Sequence, residues 1–221
     1  MKFVVFDAGP LISLTLSGML DILEKLKTKD IEFILTPQVK REVVDKADSI
    51  KKYKLEAVRI KKLIKEAVIK DSENFVDEKS LKNEIRKIID NSRKALSSGK
   101  EKLELIQEGE ASCLAFSNLC NCESLIVIDE RTTRLLTEDS ESLRKMMEKK
   151  LHLKIRADKK ALKSFKDFKY IRSSELVFMA YSKGLIDLEK DVETLEAILY
   201  SLKYHGTAIS SREIEDMKKL A

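Results

Sequence analysis

Apolar residues fall along this chain in two distinct periods. Lys2-Phe3-Val4-Val5-Phe6 and Leu125-Ile126-Val127-Ile128 are short, nearly continuous apolar runs, and Ile31 to Leu35 forms a third. Runs of this length suit strands covered on both faces of a parallel sheet. Leu151 to Ile155 is a fourth, weaker candidate strand. Between these runs the spacing changes to three and four. Leu11, Leu14, Met19, Leu23 and Leu26 predict a helix over 11–26. Val39, Val43, Val44 and Ala47 predict another, opened by Thr36 as N-cap and Pro37 at the first helical position.

The stretch from about 50 to 107 is helical in period and heavily charged. Leu55, Val58, Leu63, Ile64 and Ala67 recur at helical steps, as do Leu81, Ile85, Ile88 and Ile89. Breaks at 71–80 and at Ser97-Ser98-Gly99 make it read as a helical hairpin inserted into an α/β core. Gly109-Glu110 then opens a helix of small residues running to Cys120. The C-terminal third is again helical. Lys183-Gly184 closes one helix, and a capping box at Ser210-Ser211-Arg212-Glu213 opens the last.

Strands alternating with helices predict an α/β fold, with a central parallel sheet crossed by helices. The core spans 1–157, interrupted by the insertion at about 50–107, and 158–221 form a helical extension packed on it. In such sheets ligands bind beyond the carboxyl ends of the strands. That rule picks out Asp7 and Asp129 among the acids, because each directly follows an apolar strand. Either could also serve simply as a helix N-cap. Glu110 sits in the first turn of the small-residue helix, where the helix dipole favours a carboxylate. Glu42 lies between Arg41 and Val43-Val44, and alone reads as a surface acid paired with Lys46. Grouped, four carboxylates would repel one another, and a divalent cation would offset that repulsion.

Charge adds a second theme. The balance is 43 basic against 38 acidic residues, which permits a nucleic-acid partner without requiring one. Lys51, Lys52, Lys54, Arg59, Lys61, Lys62 and Lys65 stand against one acid, Glu56, and a second basic cluster runs through Lys159, Lys160, Lys163, Lys166 and Lys169. Each is either a solvated helix face or a track for a polyanion. Cys113, Cys120 and Cys122 lack the paired spacing of a zinc site and read as buried free thiols of a cytoplasmic protein. Asp7 and Pro10 interrupt the apolar N-terminus, which reads as strand and helix rather than signal or membrane span.

Four segments in order, F-D-A-G-P-L-I at 6–12, T-P-Q-V-K-R-E-V at 36–43, E-G-E-A-S-C-L-A at 108–115 and V-I-D-E-R-T-T-R at 127–134, resemble the PIN-domain ribonucleases. The VapC-like branch, found in toxin–antitoxin pairs, is the nearest, and S-K-G-L-I-D at 182–187 with S-S-R-E-I at 210–214 is similar to the tail of some members. The resemblance implies a PIN-like three-layer α/β/α fold and an endonuclease that hydrolyses RNA with Mg²⁺ or Mn²⁺. Asp7, Glu110 and Asp129 would hold the metal, and Glu42 would act through water. Glu130 and Thr132 would support the site, with Thr133 a weaker candidate, and the basic residues from Lys51 to Lys65 would contact RNA. Implied partners are RNA, a small antitoxin protein and a second copy of the chain, with no membrane. Two features depart from many members: Ala8-Gly9 follow the first Asp, and Glu130 follows Asp129. The long charged stretch 50–107 sets the chain apart from small toxins.

Other chemistries fit less well. An aspartate-nucleophile phosphatase needs an acid two positions after Asp7, where Gly9 stands. No phosphate-binding Gly-Lys-Ser/Thr loop and no G-x-S-x-G elbow is present. The alternative of a different class is a non-catalytic RNA-binding or interaction module on the same fold.

Overall fold

The computed structural model describes residues 1–98, 101–165 and 167–221. In chain order the N-terminal part runs β1 (Lys2–Phe6), α1 (Ala8–Leu16), α2 (Ile22–Leu26), β2 (Ile31–Leu35), α3 (Pro37–Lys40), α4 (Ala47–Ser49), α5 (Lys54–Lys65), β3 (Ile69–Asp71) and α6 (Glu78–Ala95). There follow β4 (Leu96–Ser98), β5 (Glu101–Lys102), α7 (Glu108–Leu119), β6 (Ser124–Val127), α8 (Arg131–Glu138), α9 (Ser140–Leu151), β7 (Arg156–Ala157) and α10 (Lys159–Leu162). The chain ends with β8 (Tyr170–Ile171), α11 (Ser173–Ser182), α12 (Val192–Tyr204) and α13 (Ser211–Lys218).

Five strands form one parallel sheet in the order β3-β2-β1-β6-β8, flanked by helices. The three apolar runs supply its middle. Val5, Phe6, Ile34, Leu35, Ile126 and Val127 are all fully buried, as strands covered on both faces must be. Strand order reverses between β1 and β6, so the chain builds outward from β1 first on one side and then on the other. Asp7 and Asp129 therefore emerge beside each other at the switch point, and the Asp7 amide donates to the Val127 carbonyl at 3.0 Å.

Several expectations need correction. Leu151 to Ile155 is not a strand. Leu151 ends α9, and His152 stops that helix in the left-handed conformation, φ 55°. After the helix ends the chain turns, with Leu153 exposed and Ile155 buried. A two-residue strand, β7, follows it and joins β4 and β5 in a small separate sheet. The helix expected over 11–26 is two helices, broken around Gly18 at φ 70°.

The stretch 50–107 is more than a helical hairpin. It contributes β3, an edge strand of the main sheet, and the α6 residues Leu81, Ile85 and Ile88 are buried in the common core with α7. On α5 the buried positions are Ala57, Ile60 and Leu63, whereas Leu55 and Val58 are exposed. The C-terminal region likewise supplies β8 to the main sheet. Of the break expected at Ser97-Ser98-Gly99, Gly99 lies outside the described residues, as does Lys166 of the second basic cluster. Of the cysteines, Cys113 is buried, Cys120 half-buried and Cys122 exposed. No helix among the described residues is long and apolar enough to cross a membrane.

Candidate functional site

The carboxyl edge of β1 and β6 opens into a cavity of about 360 Å³ lined by Asp7, Glu42, Glu110, Asp129 and Glu130. Four separate segments deliver these acids, and each is held by its own local chemistry. Asp7 is the N-cap of α1, accepting weakly from the Gly9 amide at 3.4 Å. Glu42 lies where the helix begun by α3 widens to π-type bonding over Arg41–Lys46, a distortion that recurs at functional sites. Glu110 accepts from the Gln107 amide at 2.7 Å and from the Thr133 hydroxyl at 2.8 Å. The hydroxyl that supports Glu110 is thus that of Thr133 rather than Thr132. Glu130 caps α8 by accepting from the Thr133 amide, which frees its neighbour Asp129 from that task.

Asp129 is instead bound by the C-terminal third of the chain. Its Oδ1 accepts the Ser173 amide at 2.8 Å, its Oδ2 accepts the Thr207 hydroxyl at 3.0 Å, and the Ser173 hydroxyl lies within 3.0 Å of both oxygens. Ser173 begins α11, so Asp129 satisfies a free helix-start amide of a distant element. Nothing in the local sequence around Ser173 or Thr207 marks them as partners of Asp129; the parallel pairing of β6 with β8 brings Ser173 there, and Thr207 arrives separately, in the segment after α12.

Gly109 sets how closely the acids approach. A Cβ at this position would stand 3.1 Å from Glu42 Oε1 and 3.6 Å from Asp7 Oδ1. Two carboxylates from different elements therefore rest against the bare backbone of α7, a close approach that a side chain would obstruct.

The electrostatics follow from burial and from like charge. Asp7, 8% exposed, has its pKa pushed up to about 6 by desolvation and then by Glu42 and Asp129, against the pull of the Ala8 and Gly9 amides. Glu110 is pushed up to about 7 by desolvation, with Asp7 and Glu130 adding to it and the Gln107 amide and Thr133 hydroxyl opposing. Burial raises Asp129 too, against the donors of Ser173 and Thr207. The Cys113 thiol, in the same core, is raised well above its ordinary value by burial and by Asp7 and Glu110, and its Sγ lies 3.4 Å from the Phe6 carbonyl. It is an inert, protonated thiol rather than a nucleophile.

With these shifts Glu110 keeps part of its proton at neutral pH, and Asp7 does so in mildly acidic solution. An all-oxygen donor set with raised carboxyl pKa values is the environment a hard divalent ion suits, since its charge offsets the repulsion. Among the described residues no group of three or more His, Cys, Asp or Glu side chains is arranged so that it could hold a metal ion. The acids line the cavity instead of meeting at one point, so an ion bound there would have to keep several of its waters. Asp129 is the most committed of the four to protein donors, although a carboxylate offers about four lone-pair sites and three donors do not exhaust them.

The basic residues Lys51, Lys52, Lys54, Arg59, Lys61, Lys62 and Lys65 are all exposed, and none of them lines the acidic cavity. Arg59 donates to the Thr15 carbonyl at the far end of α1, about 12 Å along that helix from Asp7 at 1.5 Å per residue. Lys61 pairs with Asp48, and Lys62 with Glu24 and Glu66.

Comparison with family models, curated proteins and solved structures finds no match.

Proposed function

We propose that the chain is a metal-dependent ribonuclease with a PIN-like fold, cutting RNA phosphodiesters at the acidic cavity. One observation carries this reading: Asp7, Glu42, Glu110 and Asp129, drawn from four separated segments, line a single cavity at the switch point of a parallel sheet. The residues that would hold Mg²⁺ or Mn²⁺ are Asp7, Glu110 and Asp129. When bound, such an ion lowers the pKa of water and neutralises charge on a phosphoryl group. The protein supplies the orientation. Thr133 and the Gln107 amide fix Glu110, Ser173 and Thr207 fix Asp129, and Glu42 would bind the ion through water or help position the nucleophilic water.

The engagement of Asp129 by protein donors favours a second reading, a non-catalytic RNA-binding module on this fold. One assay separates them. Purified protein and its Asp7→Asn variant are incubated with a labelled single-stranded RNA and Mn²⁺ or EDTA. The ribonuclease reading expects metal-dependent cleavage, slowed at least ~100-fold by the substitution. Equal cleavage by both proteins would sink it; binding without cleavage would leave the module.

A further inference from the structure

A second cavity, of about 750 Å³, adjoins the acidic one and is lined by Arg131, Arg134, Arg172 and Lys203, with Glu213 as the one acid in its described lining. The two cavities meet at consecutive residues twice over. Glu130 lines the acidic cavity and Arg131 the basic one; Gly206 lines the first and Thr207 the second. Neighbouring Cα atoms are only about 3.8 Å apart, so charge reverses across one residue.

The four cations differ in how far they are already neutralised. Arg172 pairs with Glu175 at 2.8 Å and Glu213 at 2.6 Å, and also donates to the Ala208 carbonyl. It holds the cleft together. Lys203 donates to the Ser211 hydroxyl at 2.7 Å. Among the described residues Arg131 and Arg134 make no ion pair, and Arg134 Nε is buried with no hydrogen-bond partner. A buried donor left without a partner is costly, so Arg134 is held at the cleft without the bonds that would neutralise it. By contrast, Lys61 and Lys62 of α5 already have carboxylate partners.

We propose that this cleft, through Arg131 and Arg134, binds the phosphate backbone of the RNA strand next to the bond that is cut. The inference rests on the ribonuclease reading for its substrate and adds the surface that grips it. An acidic cavity alone repels a polyanion, and an adjoining basic wall offsets that repulsion and fixes the strand's path. Guanidinium groups, planar and forked, suit phosphate oxygens better than ammonium groups do.

The test uses a fluorescein-labelled single-stranded oligoribonucleotide and the full chain carrying Asp7→Asn, so that binding is read without cleavage. Anisotropy titrations across a salt series compare this protein with Arg131→Ala/Arg134→Ala, and with Arg131→Ala alone, an exposed position whose loss leaves packing intact. The double variant should bind about tenfold more weakly, with its log–log salt slope reduced by about 1.4, the value for two lost contacts on a single strand. Cleavage by the chain with native Asp7 is measured in parallel. Cleavage present with binding unchanged in both variants overturns the cleft and leaves the ribonuclease reading. Cleft-dependent binding without cleavage overturns the ribonuclease and leaves the cleft. Lys61→Glu/Lys62→Glu is titrated alongside, and a loss confined to it assigns the strand to α5 and overturns the proposal. The absence of both binding and cleavage overturns both.

Discussion

Gly109 is the residue on which the spacing of the acids turns. Its position in the first turn of α7 needs no unusual backbone, so alanine there is compatible with the helix. The added Cβ would nonetheless meet Glu42 Oε1 at 3.1 Å. Gly109→Ala should therefore keep or raise the melting temperature while lowering cleavage about tenfold. Thermal unfolding and initial rates measured on the same preparation check this; unchanged rates would show that Glu42 can yield without cost. At this scale Asp7 and Asp129 were legible because acids directly after apolar strands mark the functional edge of a parallel sheet. Glu110 was legible from the small residues around it. Glu42 could be picked out only through the motif it sits in. Ser173 and Thr207 were not legible, since a hydroxyl's role as a donor to a carboxylate depends on a contact across more than forty residues of sequence.

Among the elements, β3 and α6 change how the stretch 50–107 is understood. β3 extends the main sheet beyond β2. Just after it, the ring of Phe75 meets that of Phe3 on the central strand edge to face, centroids 4.9 Å apart. Excision of 50–107 should abolish cooperative unfolding, because it strips an edge strand, the buried α6 side chains of Leu81, Ile85, Ile88 and Ala95, and an aromatic contact from the core. A circular-dichroism melt of the shortened chain tests this, and a sharp transition would show the segment to be an appendage. The central strands could be read from sequence because they are four- and five-residue apolar runs. β3, Ile69-Lys70-Asp71, and β8, Tyr170-Ile171, are too short to show a period at all. The buried face of α5 was misread because Leu55 and Val58 are apolar yet exposed; Ala57 and Ile60 pack instead.

For the whole molecule, the acidic cavity sets a pH dependence opposite to that of most carboxylates. Asp7 and Glu110 rise from 3.8 to about 6 and from 4.5 to about 7 on folding. Between about pH 4 and 7 the folded state thus binds more protons than the unfolded one, and stability falls as pH rises through that window. Glu213, held down to about 2 by Ser210 and Arg172 despite its burial, acts the other way: its contribution is lost only as pH falls below about 4. In EDTA the melting temperature should therefore be higher at pH 5 than at pH 8, and Mn²⁺ should raise the pH 8 value towards it. A melting temperature that climbs from pH 5 to 8 without metal would contradict the assignment. The grip of Ser173 and Thr207 on Asp129 has a further consequence during synthesis. All four acids are translated by residue 129, but the donors that orient Asp129 come much later. At about 5–20 residues per second, the nascent chain spends several seconds carrying every acid with its last carboxylate unfastened. The cluster is completed only once Thr207 has been made, 78 residues after Asp129.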